Sequence, residues 1–170
     1  MSRTESLSDA LSRAIITSAA ASAASALALM LLGAKEGQGG LRPLNATSHW
    51  LHGTAAGRRR QADLAHTVTG LVTHHLATMF WSLLLEKLLG PRKRTLPELA
   101  LAGAATSVLA AVVDYGLVPR RLSPGWELAL SRKSMAGAFA AMAAGLTAGA
   151  FAARELPARR RRSDGRGSVK

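Results

Sequence analysis

From Ala14 to Ala34 the chain runs for twenty-one residues without a charged side chain, and this stretch constrains the fold more than any other. As an α-helix it reaches about 31 Å, the thickness of a bilayer's hydrocarbon core. A second uncharged run extends from Ser134 to Ala153. Between them lie Leu64 to Leu89, which contains His66, His74 and His75, and Leu99 to Val118, broken only by Asp114. A helix of a soluble bundle would carry a charged face, and the first and last runs have none. The expected fold is therefore all-α: a polytopic membrane protein with a four-transmembrane-helix bundle. Its spans fall at 14–34, 64–89, 99–118 and 134–153, within a membrane domain of residues 14–153.

Charge supports this reading by its placement. A net charge of +12 in a soluble protein would point to nucleic acid. Here the arginines and lysines form short blocks between apolar runs, such as Arg58-Arg59-Arg60, Arg92-Lys93-Arg94 and Arg159 to Arg162. That is how loops of a membrane protein are charged, so no nucleic-acid partner is expected. A soluble helical bundle is the rival, because alanine is nearly neutral for insertion and the mean hydropathy is only +0.13. Cysteine is absent, which removes disulfides, thiolate metal sites and thiol nucleophiles.

Residues 1–13 read as a polar leader and residues 154–170 as a basic, disordered tail. A cleaved signal peptide competes for the first run, but the run is long for one and Leu32-Gly33-Ala34 is a poor cleavage site. Two loops carry structure of their own. In the first, Asn45 or Thr47 caps a short interfacial helix that passes through Trp50-Leu51 and ends at Gly53. In the second, Ser123 caps a helix beginning at Pro124, with Glu127 in its first turn. Trp50 and Trp126 read as matching anchors at the headgroup level, and Glu86 and Lys87 as snorkelling residues.

Lysine and arginine number 13 on the side of the termini and 9 in the two long loops. The bias places both termini in the cytoplasm. The Ala/Arg-rich composition looks bacterial, so the location expected is the inner (cytoplasmic) membrane, multi-pass, on anionic headgroups. Small residues recur at every fourth position as Gly103, Ser107, Ala111 and as Gly137, Ala141, Gly145, Gly149. Both are helix-packing seams, and the second offers a surface for self-association.

This topology gathers His49, His52, His66, Asp114, Arg120, Arg121 and Glu127 near one membrane face. His49 and His52 share a helix face, and with His66 and Asp114 they are weak candidates for a four-ligand zinc or iron site. The plainer reading makes them interfacial histidines, with Asp114 paired to Arg120 or Arg121. His74 and His75 lie near mid-membrane, where an ionisable group is costly and suggests a relay. They point 100° apart, so one could hydrogen-bond a neighbouring helix through Ser18, Ser22 or Ser107. Haem would need a partner such as Met142 or a dimer. No cofactor is predicted, and without GxSxG, HExxH or P-loop motifs no enzyme activity is expected.

Three blocks, NATSHWLHG, HTVTGLVTHHLATMFW and VVDYGLVPRRLSPGWE, resemble a family of small bacterial inner-membrane proteins with four predicted spans. The resemblance implies the topology but no activity. Two functions stay open. The first is a non-catalytic accessory or structural membrane protein, with a homo-oligomer or a membrane-protein partner. The second is a transporter- or channel-like protein that moves protons, a metal ion or a small solute through a His/Asp-lined site.

Overall fold

The computed structural model describes the backbone of residues 7–166 and the side chains of residues 7–155. Every regular element among them is helical. Four helices are long and apolar enough to cross a membrane, over Leu7–Lys35, Leu64–Leu89, Leu96–Leu117 and Arg132–Glu155. The long helices are α1 (Leu7–Lys35), α4 (Thr69–Leu89), α5 (Leu96–Val112) and α6 (Arg132–Arg166). Short α2 (Arg42–Ala46) and α3 (His49–His52) lie in the first long loop. A π-helical turn, Leu64–Val68, leads into α4, and another, Val113–Leu117, ends α5.

The helix ends follow local chemistry. At the end of α1, Gly37 takes a φ of 70° and the Gln38 amide returns to the Gly33 carbonyl at 2.9 Å. Gly90, at a positive φ of 64°, stops α4, its amide returning to the Glu86 carbonyl at 3.0 Å. A reciprocal capping box between Thr95 and Glu98 starts α5 three residues before the expected Leu99. At the other terminus α6 does not stop at Ala153. The tail expected to be disordered continues as helix to Arg166, because arginine, alanine and glutamate favour helix and an existing helix needs no new nucleus. The leader's residues 1–6 and the last four residues lie outside the described residues, as do the side chains of the Arg159–Arg162 block. From Leu7 onward the leader is already α1.

Helix α1 lies between α4 and α6, and α6 lies between α1 and α5; α4 and α5 touch each other little. The small-residue seams fix this order. A Cβ on Gly145 would lie 2.6 Å from the Ala21 Cα, and one on Gly149 would lie 2.6 Å from the Thr17 Cα. A Cβ on Gly137 would meet the Leu32 side chain at 3.3 Å. The seam read as a surface for self-association is thus filled inside the molecule by α1. Gly103 abuts Ala143 and Thr147 of α6, and Ser107 Oγ donates to the Phe139 carbonyl at 2.7 Å. Half-buried Ala111 continues this line, and Ala141 is half-buried on α6.

The two long loops meet at one end of the bundle and the described ends of α1 and α6 approach each other at the other. At the termini end Glu86 is wholly buried. Its carboxylate is 3.1 Å from Arg13 Nε and 2.8 Å from Arg154 Nη2, and it accepts from Thr17 Oγ1 at 2.8 Å. This corrects the snorkelling reading of Glu86, although Lys87 is exposed. A carboxylate sharing two guanidinium partners can be enclosed at a cost its pairing offsets, and sequence spacing could not reveal partners on α1 and α6.

The loop end also departs from expectation. Pro43 to His49 are all buried, so this segment packs into the bundle and does not lie on its surface. Asn45 caps no helix. It lies inside α2, donates to the carbonyls of Arg59 and Gln61 at 3.1 and 3.0 Å, and accepts from Thr67 Oγ1 at 2.7 Å. Gly53 does end α3, at φ 70°. Gly70 makes room for the segment: a Cβ there would lie 2.0 Å from the Leu44 carbonyl oxygen. In the second loop no helix starts at Pro124. Two 3-10 turns, Arg120–Leu122 and Trp126–Leu128, replace it, joined through a left-handed Gly125.

Candidate functional site

The loops and the ends of α5 and α6 enclose a cavity of about 760 Å³, within the range of small-molecule pockets. The π-helical turn that ends α5 carries Asp114 and Tyr115 to its wall, and π-helical turns often mark functional positions. Arg120, Glu127 and Arg132 add polar groups, the His49 ring is part of the wall, and Phe139 and Met135 form part of an apolar side. Asp114 makes no hydrogen bond or ion pair among the described residues. The Tyr115 hydroxyl is shut off from solvent without a hydrogen-bond partner there. Glu127 accepts from Ser123 Oγ at 3.0 Å, and its carboxylate lies beside Tyr115. The guanidinium groups of Arg120 and Arg132 also make no hydrogen bond or ion pair among the described residues.

A second, smaller chamber of about 240 Å³ opens on the side where α4 and α5 diverge. It is lined by His74, Thr73 and Trp81 of α4, Met142 of α6 and Trp126 of the second loop. Asp114 lines this chamber as well as the larger vestibule. Trp126 is no headgroup anchor. It is 3% exposed, donates through Nε1 to Thr47 Oγ1 at 3.2 Å, and packs on Phe139 with ring centroids 5.1 Å apart. Its indole N–H is buried with a partner, as burial requires. Trp50 remains at the edge and donates to Thr73 Oγ1 at 3.1 Å.

The seven loop-side candidates separate into groups. His49, Asp114, Arg120 and Glu127 line the vestibule. His52 and His66 pack side by side with tilted rings, centroids 4.6 Å apart, and do not line it. His66 donates from Nδ1 to Asp63 at 2.9 Å, so its acidic partner is Asp63 and not Asp114. The hydrogen bonds from the His66 backbone and ring hold the Asp63 carboxyl below its ordinary range. Arg121 turns outward and donates to the Trp50 carbonyl at 3.2 Å.

A four-ligand set of His49, His52, His66 and Asp114 does not form. Among the described residues no three histidine or carboxylate side chains converge as metal ligands. His49 in particular has no nitrogen facing open space: Nδ1 is 3.1 Å from the Ala46 carbonyl and Nε2 is 3.0 Å from the Arg120 carbonyl. A metal needs a free nitrogen lone pair, and both positions are taken.

The adjacent histidines of α4 divide too. His74 is buried, with Nε2 3.0 Å from Ser25 Oγ. Ser25 donates its own hydrogen to the Ala21 carbonyl at 2.7 Å, so the His74 Nε2–H is the donor in this contact. The partner is one turn beyond the expected Ser22. His75 is half-buried, makes no hydrogen bond among the described residues and does not line the chamber. His74 and Met142 share the chamber, but at about 240 Å³ it is below the roughly 300–1,000 Å³ of ordinary ligand pockets and does not fit haem.

Tyr115, Arg132 and Ser123 were not foreseen as wall residues. Tyr115 had one sequence signal, as the only tyrosine and the neighbour of the only charge in its apolar run. No protein-family model, curated protein or solved structure matches the chain.

Proposed function

We propose that this chain is a membrane protein that binds a small polar solute in its loop-side vestibule, in the manner of a transporter or receptor. One observation carries the reading: Asp114 lines both cavities and lacks a protein partner among the described residues. An unpaired carboxylate at the end of an apolar helix is costly, and a ligand would offset that cost. The wall offers cations (Arg120, Arg132) and anions (Asp114, Glu127), so it suits a solute with both charges. The accessory role expected to use Gly145 and Gly149 for self-association has less support, because α1 occupies that seam.

In this reading the four apolar helices span the inner membrane of a bacterium. Both termini are cytoplasmic and the vestibule opens to the outside. The charge bias supports that orientation, and the three resembling blocks support a kinship with the small four-span family. The remaining arginines rest on anionic headgroups.

Phosphoethanolamine, which carries a phosphate and an ammonium, is the test probe. Binding to the purified full chain is read by the fluorescence of Trp126, with Trp50→Phe and Trp81→Phe removing the other indoles. Saturable binding weakened by Asp114→Asn and by Arg132→Gln is expected. A signal unchanged by either substitution would overturn the reading.

A further inference from the structure

Between α5 and α6 a groove of about 580 Å³ runs along the outer face of the bundle. Its walls are small and apolar, including Ala104, Val108, Ala140 and Ala143. Ala111, Ala136 and Phe139 line both this groove and the vestibule, so the two form one continuous recess. The groove follows α6 inward from Ala136 to Ala143, about 10 Å at the helical rise. Arg132, at the membrane end of the apolar helix, stands at the mouth with Arg120, Asp114 and Glu127.

From this juxtaposition we infer that the recess is a binding site for a single zwitterionic phospholipid, with its headgroup in the vestibule and one acyl chain in the α5–α6 groove. The inference rests on the vestibule reading and names its ligand class. Charge complementarity selects the ligand. Arg120 and Arg132 suit the phosphate, and Asp114 and Glu127 suit a primary ammonium three bonds away. A water-soluble phosphoethanolamine would satisfy the same polar groups but leave the apolar groove unfilled. A lipid fills both, and the burial of its methylenes adds affinity that the free headgroup lacks. The small side chains of Ala104, Ala140 and Ala143 leave an apolar recess of about 580 Å³ beside the α5–α6 contact.

The test is native mass spectrometry of the full chain released from nanodiscs, with phosphatidylethanolamine and phosphatidylglycerol offered in equal amounts. The double variant Ala104→Leu with Ala140→Leu fills the groove at two exposed positions, so the fold is kept. One retained phosphatidylethanolamine per chain is expected, with retention reduced at least about tenfold in the groove variant. Phosphoethanolamine binding in that variant should be unchanged. Glu127→Gln should erase the preference over phosphatidylglycerol, which has no ammonium. Phosphatidylethanolamine retained equally by the groove variant would overturn the lipid site while leaving the vestibule reading intact. Loss of both phosphoethanolamine and lipid binding on the native chain would overturn both.

Discussion

Glu86 and Asp114 are both carboxylates within apolar helices, yet the two ends of the bundle use them in opposite ways. Glu86, at the termini end, is enclosed and takes hydrogen bonds from Arg13, Arg154 and Thr17. Asp114, at the loop end, faces two cavities and has no partner among the described residues. The first end ties α1, α4 and α6 together around an enclosed carboxylate. The second has its charges arranged around empty volume. A buried charge that is fully paired speaks of architecture, whereas one left facing a cavity speaks of binding.

The largest effect should come from breaking the closed end. Glu86→Leu leaves Arg13 and Arg154 together without their acid, and loss of one member of a buried ion pair costs about 3–5 kcal/mol. A thermal melt in detergent should fall by about 10 °C. Asp114→Asn in the same assay should change stability by less than about 1 kcal/mol. Equal losses would erase the distinction between the two ends.

Gly145→Leu comes next. Its side chain would drive into the α1 backbone, and overpacking of this kind costs about 1–3 kcal/mol or more. Sedimentation should show an unchanged particle size with a lowered melt; a smaller particle would restore the seam to self-association. His74→Leu should be milder, near 1 kcal/mol, since Ser25 keeps its bond to Ala21 when the imidazole leaves.

The smallest effect is pH dependence at the loop end. Hydrogen bonds from Ser131 and Ser134 lower the Glu36 carboxyl, and those from His66 lower Asp63. A carboxyl depressed in the folded state adds stability above its unfolded value and loses it as pH falls through the folded one. Melting should therefore be flat from pH 8 to about 5 and decline below about 4, where unperturbed carboxylates protonate. In Glu36→Gln with Asp63→Asn that acid decline should be shallower, which a melt series at pH 3 to 5 would record.

What the sequence made legible was the one-dimensional part of this account. Two charge-free runs and two apolar runs with few charges located the four long helices, and Gly53 correctly ended α3. A helix-end glycine such as Gly53 acts within a few residues, so local sequence shows it; the Thr95–Glu98 box is equally local, and overlooking it set the expected start of α5 three residues late. Three features needed the third dimension. Glu86 looked like a snorkelling residue because its arginines lie 73 and 68 positions away. Trp126 looked like an anchor because its partner Thr47 is in the other loop. His66 needed none of it: Asp63 lies three residues before it, a local pairing that spacing alone could have suggested over Asp114. The vestibule depends on two distant loops meeting over the ends of α5 and α6, and the smaller chamber on α4 and α5 standing apart, which no periodicity records.

Accessibility of single cysteines tests the contrast between the two ends most directly, because the native chain has no thiol. Asp114→Cys and Ser82→Cys, the latter at a fully buried position toward the closed end, would be reconstituted separately. A membrane-impermeant maleimide would then be added from either side. The account predicts rapid labelling at position 114 from the loop side and none at position 82 from either side. Slow labelling at 114 matching that at 82, or labelling of 114 only from the side of the termini, would contradict it.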